Sequence, residues 1–494
     1  MKIVYASSEA VPFAKTGGLA DVAGALPAWL GRLKQRVILV IPRYGSIDPE
    51  AHGLAYQGSF GVPFAGGVEQ AELYRGSIGG DPAVPVCCIG NRGFFDRSGL
   101  YQEGGADYPD NAERFGFFNR AVLEMCGFLS FRPDLIHCND WQTGLIPAYL
   151  KTLYADDPFF CATATLFTIH NIAYQGRYDP ERVFRATMLP RGIFNVEGVE
   201  FWGAFGFLKA GAYYADALNT VSETHRKEIQ TEEFGFGLHG LLRTRSKDLY
   251  GIMNGLDYSV WDPAHDPFIP ENYTPASFEK KAASKALAMR KLGITGGADT
   301  PLVAVISRLA AQKGLDLVAG IRQELGHRNL RLAVLGTGEP YIHQALAEMA
   351  NEFPGRVGVH LGYDDGMAHL LYAAADMFLM PSRYEPCGMG QLIGLRYGAI
   401  PIVRETGGLA DAVLDYDAAG PGRGNGFVFR EYSTAALLER IDRALALYRD
   451  KVSWRELTLT AMKADFGWES IAKKYLALYR KYVKRVNPRK QRPG

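Results

Sequence analysis

The hexapeptide Thr-Gly-Gly-Leu-Ala-Asp occurs twice, at residues 16–21 and again at 406–411. The first copy follows Lys15 and lies just after the apolar run 2–7; the second follows the run Ile400-Pro-Ile-Val-Arg404. Each therefore reads as a strand, a glycine turn and a helix start. A helix entry leaves uncapped backbone N–H groups at the turn, and these favour an anion. Two such turns far apart in one chain imply two similar domains sharing one charged ligand. A phosphorylated molecule held between them is the expectation.

A chain of 494 residues is too long for one ordinary core and suggests two to four domains. Hydrophobic residues make up 47% and charged residues 22%, as in a globular protein. With a formal net charge of +1, no global field points to a nucleic acid partner. The basic segment 480–492 reads as a solvated helix end and tail. No run of eighteen apolar residues argues for a membrane span, and the chain opens on a strand without a signal-like segment. The six cysteines (87, 88, 126, 138, 161 and 387) lack metal-type spacing, which suits thiols in a reducing cytoplasm.

Apolar, β-branched runs alternate with helical patterns throughout, predicting an α/β fold with parallel sheets. The clearest strands of the first half are 2–7, 36–41, 135–138, 165–169 and 217–221. A second series covers 302–306, 330–335, 357–361, 377–380 and 400–403. The expected domains are 1–253 and 254–469, joined through a proline- and aspartate-rich crossing loop at 261–275. A terminal helix at about 470–494 carries Ile471, Tyr475 and Leu478 at helical spacing.

Ligands of open α/β sheets bind beyond the carboxyl ends of the strands, so those positions carry the candidates. In the first glycine loop, Lys15 supplies a point charge beside Gly17, Gly18 and Asp21. The spacing does not fit Gly-x-Gly-x-x-Gly, which argues against a dinucleotide fold. Arg308 and Lys313, after strand 302–306, offer a fork and an ammonium for a diphosphate, or two solvated charges. Glu385, held between prolines after Ser382 and before Cys387 and Gly388, is a candidate for sugar contact or for the first turn of a helix. Asp140, His170 and Asn171 end two strands of the first domain and could line an opposing wall. Nothing completes a metal site around Asp415-Tyr-Asp417, so no metal is expected.

Together, stretches 15–22, 137–141, 168–176, 201–216, 234–242, 254–257, 307–314, 385–388 and 397–413 resemble the bacterial glycogen synthases and the related plant starch synthases. The resemblance implies a GT-B glycosyltransferase: two Rossmann-like domains facing across a cleft, with the last helix returning to the first. It implies transfer of glucose from ADP-glucose to the non-reducing-end 4-hydroxyl of an α-1,4-glucan such as glycogen, with retention and without metal or cofactor. Arg308 and Lys313, helped by Lys15, would neutralise the leaving diphosphate. Thr406, Gly407, Gly408 and Leu409 would cradle the distal phosphate, and Tyr363 would stack on adenine. Glu385 would contact the glucose, with Asp140, His170 and Asn171 on its hydroxyls.

Two positions depart from the family pattern. Glu223 stands where proline is usual, and a local loop effect is expected. Glu405 stands where a basic residue is common, and its charge would weaken donor binding unless it points away or pairs with Arg404. Rival readings are a UDP-glucose-dependent transferase, a glucan-binding scaffold and a dinucleotide oxidoreductase.

Overall fold

The computed structural model describes residues 1–487. It divides into two compact units, one comprising residues 1–221, 226–255 and 468–487, the other 222–225 and 256–467. These limits differ by two residues from the 253/254 boundary expected from sequence, and the terminal helix starts slightly earlier. Residues 488–494, the end of the predicted basic helix, lie outside the described residues.

The first unit is built on a nine-stranded sheet. In chain order its strands are β1 (Lys2–Ala6), β2 (Arg36–Pro42), β3 (Ala55–Phe64), β4 (Gly67–Ile78), β5 (Val84–Gly90), β6 (Leu135–Asn139), β7 (Ala164–Ile169), β8 (Ala217–Thr220) and β9 (Leu249–Gly251). Their spatial order is β9-β8-β7-β6-β1-β2-β5-β4-β3. All neighbours run parallel except β3 with β4 and β4 with β5, which are antiparallel. Parallel strands covered on both faces must be apolar along their length, and β1, β6 and β7 are buried almost throughout. Strand β4 alternates in its middle instead, with Ala71 and Leu73 buried and Glu72 and Tyr74 on the opposite face half-buried, as one wetter face requires.

Helix α1 (Gly18–Arg32) follows β1 and the first glycine turn. The terminal helix α3 (Trp468–Val486) belongs to this unit and buries Ile471, Tyr475, Leu478, Tyr479 and Tyr482 in its core. Tyr479 Oη lies 2.7 Å from His137 Nδ1, and Thr168 Oγ1 lies 2.7 Å from His137 Nε2. His137 is thereby a satisfied core residue, its pKa held well below the ordinary range by burial.

The second unit carries a six-stranded parallel sheet of β10 (Leu302–Ile306), β11 (Arg331–Gly336), β12 (Val357–Leu361), β13 (Met377–Met380), β14 (Ile400–Arg404) and β15 (Phe427–Phe429). Its order is β12-β11-β10-β13-β14-β15, with β10 and β13 central. The short helix α2 (Gly407–Ala412) follows the second glycine turn. The thiols form no disulfide among the described residues, and all but Cys161 are buried. No helix among the described residues is long and apolar enough to cross a membrane.

Candidate active site

In each sheet the strand order reverses at one place, and there the loops on either side diverge and leave a crevice at the strand ends. In the first unit the reversal lies between β1 and β6, in the second between β10 and β13. Lys15, Asp140, Arg308, Lys313 and Glu385 follow strands that flank the reversal of their own unit; His170, Asn171 and the Thr406 turn follow the next strand out, and Tyr363 follows the edge strand β12.

In the second unit, β10 runs into the loop bearing Arg308 and Lys313, and β13 into the loop bearing Ser382 and Glu385. The two loops are joined by backbone: Arg383 N donates to Gln312 O at 2.9 Å, and Gln312 Nε2 to Tyr384 O at 3.2 Å. Lys313 Nζ then reaches Glu385 Oε2 at 2.6 Å, and Ser382 Oγ donates to the same oxygen at 3.1 Å. The Glu385 side chain is 6% exposed and that of Lys313 16%. Such a pair is held against desolvation by close geometry and the extra hydroxyl donor. Arg308 is exposed on the same loop and makes no ion pair among the described residues. Tyr363, just after β12, is 79% exposed and presents an aromatic face to solvent.

The second glycine turn packs directly on this pair. Gly408 N donates to the Glu385 carbonyl at 3.0 Å, and Leu409 N to Thr406 O at 3.1 Å. A Cβ on Gly407, whose φ is +44°, would lie 2.0 Å from Glu385 O; one on Gly408 would lie 2.0 Å from Cys387 O. These glycines are required by close backbone approach, and the turn braces the Glu385–Cys387 segment. Of the loop Thr406 to Leu409 expected to cradle the distal phosphate, the N–H groups of Gly408 and Leu409 donate to carbonyls inside the protein.

The first turn behaves differently. Among the described residues, the amides of Gly18 and Leu19 find no protein acceptor, as the first turn of α1 dictates. A Cβ on Gly18 would meet nothing within 4 Å. Lys15 Nζ is 2.7 Å from Asp21 Oδ1 within the same loop. The matching aspartate of the second copy, Asp411, instead accepts Glu223 N at 2.6 Å and Thr224 Oγ1 at 2.6 Å, all three within the second unit. Glu223 is thus more than a loop variation: it contributes an N–H that a proline at this position would lack.

Beneath the first turn lies a carboxylate that sequence reading passed over. Glu9, 4% exposed, accepts Thr16 N and, at 3.0 Å, Thr16 Oγ1. Burial pushes its carboxyl up to about 7, against the hydrogen bonds from Thr16 and Gly17. Across the reversal, Asp140 has φ +56°, a strained value for a residue with a Cβ. Its Oδ1 accepts His170 N at 2.7 Å, and burial pushes its carboxyl up to about 7. Burial drives His170 down to about 3, so the ring is neutral at pH 7. Asn139 Nδ2 donates to Ala6 O, leaving Asn139 Oδ1 to accept from His170 Nε2 at 2.9 Å. That fixes the proton on Nε2 and leaves Nδ1 as an acceptor. Asn171 Oδ1 accepts Ala173 N at 3.1 Å and closes the loop.

Glu405 pairs with Arg430 rather than with Arg404. Arg404 is engaged elsewhere: its Nη1 donates to Arg383 O at 2.5 Å. The carboxylate that would oppose a diphosphate is thus neutralised by its own partner.

Two predominantly parallel α/β units, each presenting polar groups at its own strand-order reversal, are the architecture of the GT-B glycosyltransferases. Residues 2–244 match the family described as starch synthase catalytic domain, and residues 294–457 match glycosyl transferases group 1. Glycogen synthase of Syntrophotalea carbinolica is 46% identical over 98% of this chain and 99% of its own; that of Anaeromyxobacter dehalogenans is 47% identical over 97% and 99%. The solved catalytic domain of starch synthase IV from Arabidopsis thaliana, bound to ADP and acarbose, superimposes with a TM-score of 0.90 at 31% identity, covering 98% of this chain and 99% of that one. A sucrose-phosphate synthase from Thermosynechococcus elongatus shares the fold, with a TM-score of 0.61 and 17% identity over 97% and 98% of the two chains. The chain belongs to the family of bacterial glycogen synthases and plant starch synthases, and it is a hexosyltransferase.

Proposed function

We propose that this enzyme transfers glucose from ADP-glucose to the 4-hydroxyl at the non-reducing end of an α-1,4-glucan, keeping the α configuration and using no metal or cofactor. The observation that carries the reading is the Lys313–Glu385 pair beside Arg308 at the reversal of the second sheet. Breaking the bond between the anomeric carbon and the diphosphate oxygen leaves a cation-like sugar and an anionic leaving group. Preorganised charge is worth most where such charge develops. Arg308 and Lys313 serve the phosphates, Lys15 and the open amides of Gly18 and Leu19 add to them, and Tyr363 offers its face to the base. Glu385 faces the sugar. Asp140, His170 and Asn171 serve its hydroxyls, His170 as a neutral acceptor through Nδ1.

Retention by double displacement needs a carboxylate nucleophile. Glu385 Oε2 is already engaged by Lys313 and Ser382, which makes it a poor one. The same-face alternative balances without it: the acceptor oxygen bonds to the anomeric carbon as the diphosphate leaves, and the hydroxyl proton passes to the departing phosphate. The test is incorporation of radiolabelled glucose into glycogen from ADP-glucose and from UDP-glucose, side by side, with and without EDTA. Faster transfer from ADP-glucose, indifferent to EDTA, is expected; a folded preparation that incorporates nothing from ADP-glucose overturns the reading.

A further inference from the structure

Arg383 stands two residues before Glu385, and its backbone and side chain are both engaged. Its N–H donates to Gln312 O at 2.9 Å, and its carbonyl accepts Arg404 Nη1 at 2.5 Å. Its Nη2 lies 2.8 Å from Asp316 Oδ2, and its guanidinium lies 4.3 Å from the centre of the Tyr432 ring. Tyr432 Oη donates to the other Asp316 oxygen at 2.5 Å, which closes a ring of three contacts. The Arg404 guanidinium lies 5.6 Å from the same tyrosine ring. No role above uses this cluster.

The cluster joins the ends of four neighbouring strands. Asp316 lies in the first turn of the helix Leu315–Gly320, which follows β10 and Lys313. Arg383 follows β13, Arg404 ends β14, and Tyr432 follows β15. These strands lie side by side in the order β10-β13-β14-β15. Arg383 thus holds Gln312 through its backbone and Asp316 through its side chain, one on each side of Lys313. The two loops also pack without slack: a Cβ on Gly314, whose φ is +70°, would lie 2.0 Å from Pro381 O.

The Arg383 side chain is 52% exposed and that of Asp316 40%, and an ion pair so open to water contributes little to folding. What it fixes is the register of one loop against the other. A displacement of about 1 Å in a reacting group can lower a rate a hundredfold. We infer that Arg383 is a positioning residue: it locks the Lys313 loop onto the Glu385 loop and so sets where cation and carboxylate meet the donor. The inference rests on the transferase reading above.

The test measures kcat, donor KM and melting temperature for wild type, Arg383→Ala, Arg383→Lys, Asp316→Asn and the double variant Arg383→Ala with Asp316→Asn. Hydrogen exchange of the two loops is followed alongside. Arg383→Ala should lower kcat about ten- to a hundredfold, while the KM for ADP-glucose changes less than about threefold. Its melting temperature should fall by no more than about 4 °C, as loss of an exposed pair implies. Arg383→Lys keeps a cation for Asp316 and should recover several-fold of the lost kcat. Asp316→Asn should reproduce the loss, and the double variant should stay within about twofold of Arg383→Ala, because both changes break one contact. Amides of 307–314 and 382–388 should exchange faster in Arg383→Ala. An unchanged kcat overturns the inference, and so do additive losses in the double variant. A rise in donor KM alone also overturns it, by making Arg383 a donor contact. If wild type transfers no glucose but both loops loosen as expected, the bracing stands and the transferase reading falls.

Discussion

Lys313 Nζ stands 2.6 Å from Glu385 Oε2, so the cation proposed to serve the leaving group and the carboxylate proposed to face the sugar neutralise one another. Each is mostly buried, so neither can be removed without leaving the other uncompensated. Breaking a buried pair by deleting one partner costs about 3–5 kcal/mol. Lys313→Ala should therefore lower both melting temperature and turnover, the latter by about a hundredfold or more by analogy with losing an oxyanion donor. Adding Glu385→Gln should restore the melting temperature but not the rate. Recovery of both would mean that Lys313 serves the fold alone.

Glu405 and Arg430 make a second pair, but an exposed one. Exposed pairs contribute about 0–1 kcal/mol and weaken in salt. Arg430→Ala should raise the KM for ADP-glucose less than about fivefold, by uncovering negative charge near the donor loops. Glu405→Gln on top should reverse the effect, and high ionic strength should abolish it. A KM indifferent to all three changes would place Glu405 outside the donor's field.

Much of this arrangement was legible in the chain. Parallel strands buried on both faces announce themselves as apolar runs, and 302–306, 357–361 and 377–380 were read with the bounds observed. The antiparallel strands Ala55–Phe64 and Gly67–Ile78 were not read, because half their residues face water and glycines interrupt the pattern. Lys313 and Glu385 were legible as strand-end charges, but their mutual contact depends on which strands become neighbours. Glu9 was missed for a related reason. Next to Ser7 and Ser8 it looks like an ordinary polar strand end, and only the returning Thr16 turn makes it a buried acceptor.

Glu9 also sets a pH dependence. Its folded pKa, about 7, lies above the ordinary value of 4.5, so between these values the folded chain binds more protons than the unfolded chain. Stability from this group is full below pH 4.5 and is lost as pH rises through 7. Asp140 acts in the same direction, and His170, held at about 3, in the opposite one. Both persist in Glu9→Gln: His170 cancels in the comparison, and Asp140 cancels apart from the smaller part of its shift that the Glu9 charge supplies. From pH 5 to pH 8, wild type should lose about 2–3 kcal/mol relative to Glu9→Gln in urea unfolding. A constant difference between the two proteins would show that Glu9 is not protonated in the fold.

The twin glycine turns separate by the same kind of substitution. At Gly408 a methyl would sit 2.0 Å from the Cys387 carbonyl oxygen, which only backbone movement can relieve. Overpacking of this kind costs about 1–3 kcal/mol or more, and it would shift Glu385, whose carbonyl receives the Gly408 N–H. Gly408→Ala should thus lower stability and turnover together. Gly18 is the first residue of α1, has open space beside it, and would gain helix propensity as alanine. Gly18→Ala should melt at or slightly above the wild-type temperature yet bind ADP-glucose more weakly, because its methyl occupies the approach to the open amides. Melting curves and donor KM for the two variants decide the matter. Equal damage from both would mean that the two turns share one role, whereas the expected split makes the first a ligand contact and the second a brace for Glu385.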